Sequence, residues 1–170
     1  MKLGDGVEWA LHCCGVLGAL PQPYTLPAAH LAEYHGVPAA YLAKHLQALS
    51  RAGIVESVKG PSGGYRMARP PDEVTVLDVV LAVEGTEPAF TCTEIRQQGP
   101  CAVDDPKAYP TPCGIKVAML QAEKAWRDAL AQHTVADLVR HAVQEAPAQQ
   151  IAESMVWIQQ VARGPKAPAR

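Results

Sequence analysis

The stretch VPAAYLAKHLQALSRAGIVESVKGPSGGYRMAR, residues 37–69, carries two periodicities back to back, and the switch between them decides the fold. Leu42, Leu46 and Leu49 recur at helical spacing, so they line one buried stripe. The helix starts at Pro38, where a missing N–H costs nothing, and Gly53 closes it. IVESV and YRMAR then read as strands on either side of KGPSGG, which makes a β-hairpin. Gly63 and Gly64 permit backbone angles and close approaches that other residues resist. Upstream, YTLPAAHLAEYHG (24–36) reads as a shorter helix with Pro27 in its first turn and Gly36 as terminator. Two short helices, a tight turn and a hairpin, in that order, describe a winged helix-turn-helix whose second helix enters a major groove. An ordinary surface hairpin after a helix pair is the alternative reading.

Charge favours the first. Residues 37–70 hold five Lys/Arg (Lys44, Arg51, Lys59, Arg66, Arg69) against one acid, Glu56, whereas residues 71–113 hold two against eight. The formal charge of -2 averages these away. A basic segment inside a mildly acidic chain marks one face for a polyanion. Tyr41, Lys44 and His45 on the second helix, with Lys59, Ser62, Gly63, Gly64, Tyr65 and Arg66 at the wing, are the candidate contacts to double-stranded DNA; Tyr41 reads equally well as core, since it flanks Leu42.

The rest of the chain is helical. Hydrophobic content is 48% with a single Phe, which favours a mainly α protein with small-residue packing. Residues 2–20 place Leu3, Val7, Leu11, Cys14 and Leu17 at helical spacing, with Asp5, Glu8 and His12 on the other side. Glu8 and His12 are four apart, so they address one point in space, as a metal site or as a solvated face. Thr75-x-x-Asp78 and Thr134-x-x-Asp137 are capping signatures that open two more helices. Between them, VAMLQAEKAWRDALAQ has a broad apolar stripe that needs a partner, and a second copy of the chain is the expected one. The expected division is 1–85 for the DNA-binding unit, 86–116 for a cysteine loop, 117–145 for a dimerisation region and 146–170 for a C-terminal tail. That tail holds a helix around IAESMVWIQQVA and a frayed Pro/Lys/Arg end. No run approaches the roughly 18 apolar residues of a membrane span, and the polar start MKLGDGVEWALHC spoils a signal peptide, so a cytoplasmic protein is expected.

Five cysteines complete the inventory: Cys13 and Cys14 near the first apolar stripe, read as packing residues, and Cys92, Cys101 and Cys113 in a polar loop. Clustered thiols in a reducing compartment point to metal or redox chemistry over disulfides. No nucleophile-base-acid constellation is present, so no enzyme and no small-molecule substrate are expected.

The run YLAKHLQALSRAGIVESVKGPSGGYRMARPPDEVTVLDVVLAVEG, followed by spaced cysteines and a Trp-bearing helix ending in TVADLV, resembles the Rrf family of bacterial winged-helix transcriptional regulators, IscR-like and NsrR-like proteins included. GVEWALHCC and CTEIRQQGP look closest to its redox-responsive, RsrR-like branch. The resemblance implies a homodimer in which the N-terminal helix of one subunit approaches the cysteine loop of the other. It also implies a [2Fe-2S] cluster held by Cys92 and Cys113 of one chain with Glu8 and His12 of the partner. Much of the family uses three cysteines with a fourth group from elsewhere, in IscR-like proteins a His three residues after the third; here that position is Lys116, a poor ligand while protonated. Cys101 is either a spectator or, with Cys92, Cys113 and Glu8 or Asp5, part of a [4Fe-4S] site suited to nitric oxide or iron-sulfur status sensing. A redox carrier that binds no DNA and a zinc module are the competing classes; neither explains GPSGGYRMAR.

Overall fold

The computed structural model describes residues 3–164 apart from 62, 104 and 106. Seven helices are described: α1 (Asp5–Gly18), α2 (Ala28–His35), α3 (Ala39–Arg51), α4 (Val76–Glu84), α5 (Gly114–Ala131), α6 (Val135–Glu145) and α7 (Ala148–Val161). Strands β1 (Val55–Val58) and β2 (Gly64–Met67) form an antiparallel hairpin in which Val55 faces Met67 and Val58 faces Gly64. This is the mainly α, winged helix-turn-helix architecture that the two periodicities predict.

The core forms where the apolar stripes of α1, α2 and α3 converge. Leu17, Leu31, Leu42, Leu46, Leu49 and Ile54 are essentially inaccessible. Cys13 and Cys14 are also wholly buried there, and burial pushes the Cys13 thiol up to about 12 and Cys14 higher still. Both therefore act as small apolar residues, as expected. Between α2 and α3, Gly36 takes a left-handed conformation (φ 63°) that stops the first helix and turns the chain into the second.

Two capping boxes set the next junction. Thr75 and Asp78 exchange hydrogen bonds of 3.0 Å each way at the head of α4, and Thr134 and Asp137 do the same at 3.1 and 2.9 Å at the head of α6. The two N-caps also pair with each other: Val76 N donates to His133 O and Val135 N to Val74 O, both at 2.8 Å. Thus α4 and α6 begin side by side. Val135 is fully buried and α6 packs on α1. By contrast α5 buries no residue completely; Trp126 and Leu130 touch the Val7, Val76 and Val80 cluster, while Ile115, Val117, Met119 and Leu120 are exposed.

Helix α7 returns to the winged unit. Ile158, Val161 and Ala162 pack against the main core, and Tyr34 Oη donates to Ser154 Oγ at 2.9 Å. The Pro/Lys/Arg end (165–170) lies outside the described residues. Among the described residues no helix is long and apolar enough to cross a membrane.

Candidate functional site

Helix α3 presents its polar side outward. Tyr41 is 66% exposed, so it is not core, and Lys44 is exposed beside it. Gln47, absent from the expected contacts, and Arg51, expected only as part of the basic segment, continue that exposed line at helical spacing. His45 is differently placed. Its ring sits over Gly6 of α1, so closely that a Cβ there would lie 2.2 Å from Cε1, and edge-on to Trp9 at 6.1 Å. It packs α3 on α1.

The wing is built by close approach. A Cβ on Gly64 would lie 2.7 Å from the Leu26 carbonyl, because Leu26 pairs with Tyr65 through backbone bonds of 2.8 and 2.9 Å. A Cβ on Gly63 would meet Gly60 O at 2.6 Å. The left-handed angle in the turn falls on Gly60 (φ 96°). Both predicted glycines are thus needed for space. Lys59 is exposed, Tyr65 is half-buried, and Ser62 lies outside the described residues. Arg66 is engaged: Nε donates to Glu56 Oε1 across the hairpin at 2.6 Å and Nη1 to Pro23 O at 3.3 Å. Arg69 faces Asp78 at 3.7 Å.

The cysteine loop is organised around a residue the sequence reading passed over. Arg96 clasps the Glu94 carboxylate through Nε and Nη2, the second at 2.9 Å, and Nη2 also donates to Thr111 O at 3.4 Å. Its guanidinium stacks 4.5 Å from the Tyr109 ring centre, and Tyr109 Oη donates to Arg96 O at 2.9 Å. Glu94 takes a left-handed φ of 51° to complete this turn. An Arg–Glu pair two residues apart in a loop gave no periodic signal to find it by.

Cys113 is the N-cap of α5 and is buried. The first-turn N–H groups of Lys116 and Ile115, with the Arg96 guanidinium adding to them, hold its thiol below the usual cysteine range. Cys92 is half-buried and Cys101 exposed. On α1, Glu8 and His12 are exposed one turn apart. The His12 ring lies 5.5 Å from that of His35, whose Nε2 is buried with no hydrogen-bond partner among the described residues; burial first, then His12, pushes His35 down to about 4. Among the described residues of a single chain, no three His, Cys, Asp or Glu side chains converge as a metal site. Cys92 and Cys113 lie at the two ends of the loop and Glu8 and His12 on α1, and the four do not converge within one chain among the described residues.

Comparison with known proteins assigns the fold and the family. Over 110 residues, 65% of this chain and 67% of the relative, it is 38% identical to Protein aau3 of Rhizobium meliloti (strain 1021). It is 40% identical over 92 residues to the HTH-type transcriptional regulator IscR of Aliivibrio salmonicida, covering 54% of this chain and 55% of that one. Among solved structures, T. potens IscR superposes with a TM-score of 0.63 at 21% identity, covering 89% of this chain and 96% of that one. CymR, the global cysteine regulator of B. subtilis, gives 0.63 at 20%, covering 83% and 98%. The family described as Rrf2, iron-dependent transcriptional regulator, matches residues 3–141, and the chain belongs to that family of winged-helix transcriptional regulators.

Proposed function

We propose that the chain is a homodimeric, operator-binding regulator whose DNA affinity responds to redox state through a [2Fe-2S] cluster. The observation that carries the sensing half is Cys113: a thiol kept toward thiolate by α5's first turn and Arg96 suits a metal ligand. Cys92 shares its loop. Glu8 and His12 are exposed and one turn apart, so a partner subunit's loop can reach them. The exposed apolar side of α5 (Ile115, Val117, Met119, Leu120) supplies the surface on which two chains would join. When bound, such a cluster supplies a one-electron redox centre, with nitrogen ligation raising its potential. The protein's own part is positional: α1 from one subunit and the Arg96 loop from the other would meet at the ligands, so a change at either shifts the two winged units relative to each other.

On DNA, Tyr41 and Lys44 face the groove, His45 supports the helix from behind, and Lys59, Gly63, Gly64 and Tyr65 form the wing. Two recognition helices of a twofold dimer would sit about 34 Å apart. If the dimer neutralises about 6 to 8 phosphates, log affinity falls against log salt with a slope of roughly -5 to -7. A slope near zero removes the DNA reading.

The test of the sensing half is oxygen-free purification followed by a visible spectrum and by iron and sulfide analysis. About two irons and two sulfides per monomer, lost in Glu8→Ala, His12→Ala, Cys92→Ala and Cys113→Ala but kept in Cys101→Ala, is expected. A four-iron cluster that needs Cys101 would replace this reading with the [4Fe-4S] sensor. Zinc in place of iron would leave a colourless interaction module.

A further inference from the structure

The family match ends at residue 141, yet the chain beyond it makes specific contacts with the DNA-binding unit. Trp157 of α7 packs 5.3 Å from the Tyr34 ring and edge-on to His30 at 5.9 Å, both on α2. Past α7 the backbone is extended, and Arg163 and Thr25 exchange two hydrogen bonds of 2.9 Å. Thr25 adjoins Leu26, which pairs with Tyr65 of β2. The C-terminal arm therefore continues the pairing that starts at the wing. From there the Arg163 side chain reaches the turn of the hairpin, where Nη1 lies 3.4 Å from both Pro61 O and Gly63 O.

This contact matters for two reasons. A two-stranded hairpin is marginal in water by itself, so an added backbone pair and a charged donor on its turn fix its position. The turn also presents carbonyl oxygens where a wing meets a polyanion. An exposed guanidinium between two of them reverses the local sign. Arg66 cannot do this while Glu56 holds it. A lysine could supply the charge without the fixed fork of donors.

We propose that Arg163 is a wing-positioning and phosphate-contacting residue, delivered by the C-terminal helix, so that operator affinity depends on a segment beyond the residues that the family description matches. The inference rests on the DNA-binding reading, and its test separates the two. The probe is a duplex recovered by selection from a random pool with the full chain. Amide hydrogen exchange across residues 55–67 reads the wing without DNA.

Arg163→Ala is expected to weaken binding about tenfold and to reduce the salt slope by about 2 per dimer, one phosphate per subunit. Exchange in the hairpin should rise while α1 and α3 stay protected. Arg163→Lys should restore the slope but not the protection. Unchanged exchange in Arg163→Ala overturns the positioning role, and unchanged affinity and slope overturn the DNA contact. Recovery of no duplex by the full chain overturns the DNA reading itself, while the exchange result still decides whether Arg163 holds the hairpin.

Discussion

The winged unit and the cysteine loop are held by different physics. In the first, leucines at helical spacing are sealed from water and each change is felt by every neighbour. In the second, one arginine gathers a carboxylate, a carbonyl and a tyrosine ring at a half-exposed surface. The difference is one of kind: apolar packing with no exposed surface holds the first, and a polar network at the surface holds the second.

The contrast breaks if a core substitution proves mild. Leu46→Ala, at a site with no exposure, should cost about 2–5 kcal/mol in urea unfolding. Next in size, Thr75→Ala removes one half of a capping box and should cost about 1 kcal/mol, read the same way. Arg96→Ala should leave the unfolding midpoint close to that of the native chain. Its effect is local: the Cys113 thiol should titrate higher, seen as ultraviolet thiolate absorbance in metal-free protein with Cys92 and Cys101 replaced by serine. The buried Cys13 and Cys14 stay protonated and leave that signal clear.

The smallest effect concerns Asp137, held down to about 2 first by the Thr134 N–H, then by the Thr134 hydroxyl and Arg140. Its folded value lies below the ordinary one of about 4, so its contribution is complete above that pH. The stabilisation fades as pH falls toward 2. Melting temperatures of the native chain and Asp137→Asn should therefore differ at neutral pH and converge in acid.

Much of the fold was legible because its determinants are local. Leu42, Leu46 and Leu49, the two Thr-x-x-Asp boxes and the glycine-rich turn each announce themselves within a few residues. Of the candidate site, helical spacing gave the exposed placement of Lys44 and of the Glu8 and His12 pair. What escaped depends on contacts between distant segments. His45 has the same helical neighbourhood as Lys44, yet Gly6 and Trp9, nearly forty residues earlier, take its ring. Arg66 sits at the wing but answers to Glu56, and Arg163 arrives from a hundred residues away. No short window of sequence contains the His45 or Arg163 pairings, and the Glu56–Arg66 pair appears only once the hairpin register is fixed.

The joined N-caps of α4 and α6 have a consequence for how such proteins diversify. Thr75 and Thr134 fix both ends of the intervening segment at one place, while α4 within it stays packed on the core through Val79 and Val80. Closing a longer excursion costs little, about 0.6 kcal/mol for each doubling of its length. Changes of length between α4 and α5 are therefore cheap, because no described residue of 85–112 is buried. Four backbone groups hold the winged frame together while the connection outside it varies in length.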